Sequence, residues 1–152
     1  MDIREHVEQF RKACVNSLKT FEDIPNGIES FPYGACEVSS VMLMTYLKSI
    51  GVDGITYVSG TRPSDREGQV QTHSWLSYNG LFIDITGSQF FDCDDEILIS
   101  SNHKLHASFD NEDRGTSDIY QYSAEGSVDY VPFYENVVSK IKKLNNKKWQ
   151  NY

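Results

Sequence analysis

No apolar run in these 152 residues approaches the length of about 18 that a membrane-spanning helix needs. The first residues also lack the apolar stretch of a secretion signal, because Asp2, Glu5, Glu8 and Arg11 interrupt it. No membrane partner is therefore expected, and the expected compartment is cytoplasmic. Cysteine is scarce: three residues, an odd number at no short regular spacing, which excludes a disulfide framework and fits a reducing compartment. Positive charge is in deficit, with 14 Lys and Arg against 22 Asp and Glu, a net charge of -8. A nucleic-acid binder normally needs a basic face, so no nucleic-acid partner is expected. Internal repeats and cofactor motifs are missing too, and the expected cofactor set is none.

What remains is the composition of an ordinary globule, 39% hydrophobic and 12% aromatic, of a length that predicts a single domain over 1–152. Residues 2–19 read as an amphipathic helix: Ile3, Val7, Phe10, Cys14 and Leu18 recur at steps of three and four, with Asp2 as N-cap. A loop rich in turn residues (Pro25, Asn26-Gly27, Pro32) leads to a second helix from Cys36 to Ile50, stopped by Gly51. This helix is apolar almost all round, the mark of a buried element. Residues 55–59 read as a strand, 61–69 as a polar loop, and 97–100 as a short strand. The segment 108–127 reads as a long exposed loop, and 132–146 as a last helix with a basic end.

The sharpest local signal is a hairpin. Gln71–Tyr78 and Leu81–Thr86 flank Asn79-Gly80, the strongest two-residue signature of a type I′ turn. That turn sets Tyr78 against Leu81 and Leu76 against Ile83. Leu76, Tyr78, Leu81, Ile83 and Ile85 then share a core face. His73, Trp75, Phe82 and Asp84 share the other, with His73 and Asp84 as diagonal neighbours across the strands.

Cys36 falls at a helix N-terminus, where unpaired N–H groups and the positive end of the dipole favour a thiolate, the nucleophilic form of cysteine. Its alternative fate is that of a small buried hydrophobe. An imidazole to shuttle the proton and a carboxylate to orient the ring complete the needs of thiol catalysis, and His73 and Asp84 supply them. The Cys36 backbone N–H is the first oxyanion donor. Gln89, just beyond the hairpin, is the candidate for the second. A competing set, Cys93, His103 and His106 with Asp92 or Asp94, has the residue types of a zinc site but no paired Cys-x-x-Cys.

Phe31-Pro32-Tyr33-Gly34-Ala35-Cys36, then Thr72-His73-Ser74-Trp75-Leu76, then Phe82-Ile83-Asp84-Ile85-Thr86 resemble the papain-like/transglutaminase-like superfamily, in which a G-x-C helix start is followed by H-x-W and D-x-T strands. The resemblance covers residues 31–90. It implies an α+β fold, a papain-like/transglutaminase-like core in which the helix carrying the cysteine packs on an antiparallel sheet carrying His and Asp. It further implies Cys36, His73 and Asp84 as the catalytic triad, with Tyr33, Gly34, Trp75 and Gln89 around the substrate. No glutamine upstream of Cys36 matches the oxyanion residue of the papain-like peptidases. The expected activity is hydrolysis of a peptide, isopeptide or side-chain amide bond through a thioester, with a protein or peptide as substrate and no metal. The alternatives on the same fold are a peptidoglycan amidase acting as a toxin, a transglutaminase-type acyl transferase, and a non-catalytic interaction module. The pattern leaves the oligomeric state open.

Overall fold

The computed structural model describes residues 2–150. Helix α1 (Ile3–Thr20) begins where the Asp2 carboxylate accepts from the Arg4 backbone N–H, and buries Val7, Phe10, Ala13, Cys14 and Ser17. Helix α2 (Cys36–Ser49) buries every residue from Val38 to Leu47, as its all-round apolarity predicts. It ends as expected: Gly51, just beyond the C-cap Ile50, takes the left-handed φ of +95° that glycine accepts without strain.

Five antiparallel strands form one sheet in the order β4-β3-β2-β1-β5: β1 (Thr56–Pro63), β2 (Val70–Tyr78), β3 (Leu81–Asp84), β4 (Leu98–Ser100) and β5 (Asp110–Asp113). The β2–β3 hairpin has the register expected from its turn, Tyr78 against Leu81 and Leu76 against Ile83, with Asn79 and Gly80 both at positive φ. Three short or late helices complete the described chain: α3 (Lys104–Ala107), α4 (Ile119–Glu125) and α5 (Val131–Gln150).

The sheet separates two cores. On one face α2 lies against β1 and β2 and is backed by α1 and α4, with α5 packed on α1. Leu76, Ile83 and Ile85 join the buried side chains of these helices there. On the other face Val58, Trp75, Cys93, Leu98, Leu105 and Phe109 form a smaller cluster. The molecule is thus an α+β fold whose central helix lies on an antiparallel sheet.

Three expectations need correction. The strand read as 55–59 continues to Pro63, because Thr61, Arg62 and Pro63 pair with Thr72, Gln71 and Val70, which shortens the loop read as 61–69. The segment read as a loop over 108–127 contains β5 and α4 instead. Its acidic, serine-rich composition disfavours a strand, and pairing with β1 overrides that preference. The α4 start is fixed by Asp118, whose carboxylate accepts from the Gln121 N–H, and by the Thr45 hydroxyl, which accepts from the Ile119 N–H.

Candidate active site

The hairpin register delivers His73 and Asp84 to the same face of β2 and β3, and both side chains are almost wholly excluded from solvent. His73 Nε2 lies 2.7 Å from Asp84 Oδ2. An ionised carboxylate only accepts, so Nε2 donates its hydrogen to Asp84, and Nδ1 is turned away from that carboxylate. Nδ1 is buried without a hydrogen-bonding partner of normal geometry, while the Cys36 thiol interacts with the ring. Cys36 and His73 line one cavity of about 500 Å³.

Cys36 is half-buried in the first turn of α2. The N-cap residue is Ala35, which has no side chain to accept from the first-turn amides, whereas α1 and α4 are capped by Asp2 and Asp118. The helix is anchored by Ser40, whose hydroxyl donates to the Ser74 carbonyl next to His73 at 3.4 Å. One bond thus ties the cysteine helix to the histidine strand.

Asp84 is more heavily used than a triad requires. Its Oδ1 accepts from the Thr86 backbone N–H at 2.9 Å, and its Oδ2 accepts from His106 Nε2 at 2.8 Å as well as from His73. Burial alone raises a carboxyl pKa, but the charge on His73 and hydrogen bonds from both rings outweigh it and hold Asp84 well below the usual carboxylate range. For His73, burial opposes the charged ring. The Asp84 charge and hydrogen bond, with a further contribution from Cys36, outweigh that opposition and raise its pKa to about 9.

His106 belongs to none of the expected arrangements of the triad. The zinc set in which it was a candidate is dispersed: His103 Nδ1 accepts from the Leu105 N–H at the start of α3, and Asp92 pairs with Arg62 at 3.0 Å. Among the described residues the one cluster with metal-ligand chemistry is His73, Asp84 and His106. Two donors each about 2.0–2.1 Å from a tetrahedral zinc lie roughly 3.3 Å apart. The separations of 2.7 and 2.8 Å are those of hydrogen bonds.

The remaining expected site residues scatter. Trp75 is fully buried, its ring 4.6 Å from that of His106, so it packs behind the histidines and presents no surface to the cavity. Tyr33 and Gly34 are exposed in the loop before α2, outside the cavity lining. Gln89 turns its amide back to the Thr86 carbonyl at 3.1 Å and is likewise outside the lining. The cavity wall comes instead from elements the sequence did not nominate: Glu37, Thr61, Thr72, Asp110, Glu112 and Arg114 among them. Gly60, opposite His73, makes this wall possible. A Cβ there would come within 2.9 Å of the Asp110 carbonyl oxygen, so its absence lets β5 close on β1.

The fold and site together define an α+β protein with a helix-tip thiol, a buried imidazole and a doubly shared carboxylate. Compared with protein-family models, curated proteins and solved structures, the chain matches none.

Proposed function

We propose that this protein is a thiol-dependent hydrolase that opens a peptide, isopeptide or side-chain amide bond through a thioester on Cys36. The observation that carries the reading is the polarity of His73: Nε2 committed to Asp84, Nδ1 unpaired, and Cys36 interacting with the ring in a shared cavity. The likeness of the 31–90 segment to papain-like and transglutaminase-like enzymes supports the same roles.

In this scheme the proton of the Cys36 thiol resides on His73 Nδ1 before the attack, as the raised pKa of the ring favours, and the sulfur then attacks the substrate carbonyl carbon. The first-turn amides of α2, left without a capping side chain, donate to the oxyanion. Collapse breaks the C–N bond, and His73 returns the proton to the departing amine. Water then loses a proton to His73, attacks the thioester carbonyl and releases the acid with the free thiol. Asp84 keeps the ring in one tautomer and offsets its charge in each imidazolium stage.

A transferase differs only in its acceptor, an amine in place of water. The carboxylates of Glu37, Asp110 and Glu112 around the cavity favour the approach of an ammonium group, which keeps that second reading in play. Both share one test. The protein is incubated with peptide, ubiquitin-like and peptidoglycan acyl donors, with and without a primary amine, and digested for mass spectrometry. An acyl adduct on Cys36 with free acid as product supports the hydrolase, and amine-linked product the transferase. No adduct on Cys36 from any donor overturns both.

A further inference from the structure

We propose that His106 is a positioning residue of this site, a fourth member that fixes the Asp84 carboxylate through the oxygen it shares with His73. The inference rests on the thiol-hydrolase reading for its catalytic consequence, but its structural content stands on its own geometry.

A carboxylate held only by one imidazole can rotate about its own Cβ–Cγ bond, and the ring it orients moves with it. Here rotation is blocked at both oxygens: the Thr86 N–H holds Oδ1 at 2.9 Å, and His106 holds Oδ2 at 2.8 Å. His106 is itself held firmly. Its ring lies 4.6 Å from that of Trp75 and meets Phe82 edge-on at 5.2 Å. Its plane is within 6° of the His73 plane, so the two rings approach Oδ2 in matching orientation. The His106 carbonyl accepts from the Phe109 N–H and the Asn111 side chain, which ties this histidine to the strand that borders the cavity.

A structural filler would not need this chemistry. Leucine would pack against Trp75, Phe82 and Leu105 without a polar atom to satisfy, and burying an imidazole in such surroundings is costly unless it is paired. The pairing chosen is with the carboxylate that orients His73. Sharing Oδ2 between two N–H donors divides the negative charge available to each. His106 therefore also limits how strongly Asp84 stabilises the protonated His73. The ionisable groups that face this cluster are Cys36 from α2, His103 from the start of α3, and Cys93 from the loop after β3. Arg62 is set off from it by the rings of Phe90 and Phe109, over which its guanidinium lies.

The test compares the whole wild-type chain with His106→Leu, which keeps volume and loses the donor, and His106→Gln, whose amide restores an N–H near the Nε2 position. Two readouts are taken: the pH midpoint of the His73 ring by ¹⁵N-correlated NMR, and the rate of Cys36 alkylation by iodoacetamide across pH. The Leu variant is expected to raise the His73 midpoint by half a pH unit or more, and the pH at which Cys36 alkylation stops depending on that ring should move up with it. The Gln variant should recover most of both. A merely structural residue would leave the His73 midpoint unmoved, and an unmoved midpoint overturns the proposal whatever the alkylation rate. If the Leu variant does not fold, His106→Asn takes its place, since its shorter amide does not reach Oδ2. Failure of the hydrolase reading looks different: Cys36 in the wild type would then alkylate no faster than Cys14 or Cys93, while the His73 midpoint still decides the role of His106.

Discussion

His73 and Asp84 stand eleven residues apart in the chain and 2.7 Å apart in space, joined Nε2 to Oδ2 across a hairpin closed by two residues. Because the turn fixes the register, this contact forms with the hairpin and needs no distant element to bring it about. The thiol and the second histidine, by contrast, are brought in by the tertiary fold.

The first consequence concerns thiol reactivity. Burial pushes the Cys14 thiol up to about 12 and raises that of Cys93, so neither supplies much thiolate at neutral pH. Cys36 is half-buried at a helix tip in an open cavity. Iodoacetamide at pH 7 should label Cys36 at least tenfold faster than the other two, as read by peptide mass spectrometry. His73→Ala should slow that labelling. Equal rates at all three sites would contradict the assignment.

Asp84→Asn tests the orienting carboxylate. The amide keeps the shape but favours the wrong ring tautomer, and in an analogous triad this substitution costs about 10⁴ in turnover. On any donor that acylates Cys36, turnover should drop at least a hundredfold, with the far-UV circular dichroism unchanged. Turnover within threefold of wild type would remove Asp84 from the mechanism.

Stability should carry the signature of the His73–Asp84 pair. The folded-state pKa of His73, about 9, lies above its ordinary value of 6.5. The corresponding stabilisation is complete below pH 6.5 and is lost as pH rises toward 9. At 1.36 kcal/mol per pH unit it amounts to no more than about 3 kcal/mol. Asp84 works in the opposite sense, its folded-state pKa being depressed: its contribution is present above about pH 4 and is lost only in stronger acid. Urea denaturation at pH 6 and pH 9 should show the wild type weaker at pH 9. His73→Gln should flatten that difference, and a wild type equally stable at both values would refute the coupling.

The cavity wall predicts a charge preference. Of its carboxylates, Glu112 pairs with Arg114 at 2.7 Å and Glu37 accepts from the Tyr122 hydroxyl at 3.0 Å, which leaves Asp110 for a visitor. Peptide donors with lysine beside the scissile carbonyl should be turned over more efficiently than those with glutamate, and Asp110→Asn should narrow the gap. Added salt should narrow it too. Equal turnover of lysine and glutamate donors would show that the wall does not read charge, and a glutamate preference would show that it reads the opposite sign.

Gly60→Ala isolates the seam between β1 and β5. The added methyl would sit 2.9 Å from both the Asp110 carbonyl oxygen and the Phe109 Cβ, so backbone must yield. A loss of about 1–3 kcal/mol is expected in urea denaturation, with faster amide exchange confined to β5. Unchanged exchange there would mean that the seam tolerates the extra atom.

Local pattern carried much of this architecture. Helices α1 and α2 follow from periodicity and capping, and the His73–Asp84 contact follows from Asn79-Gly80, because each signal lies within a few residues of its effect. What stayed hidden depends on partners far along the chain. Thr61-Arg62-Pro63 looks like a turn until Val70–Thr72 pairs with it, and Arg62 then bonds Gln71 while covering the Phe90 and Phe109 rings. The run Asp110–Asp113 contains no strand-forming residue and becomes a strand only at the edge of β1, where Thr56 donates to Asp113 at 2.6 Å. His106 was visible as a residue with metal-binding chemistry. Its true neighbour lies 22 positions earlier, and nothing in the spacing pointed there. Trp75 was expected beside the substrate because of its place after His73; it does share that face of β2, but Leu98, Leu105 and Phe109 close over it and bury it with Val58.

The outermost strand has a consequence for how molecules of this protein meet. Its four side chains, Asp110, Asn111, Glu112 and Asp113, are all exposed, and three of them are acidic. A strand at the border of a sheet invites another to zip alongside, and a row of like charges repels an identical neighbour from doing so. The rail that discourages self-stacking also frames the mouth of the cleft through Asp110, Asn111 and Glu112.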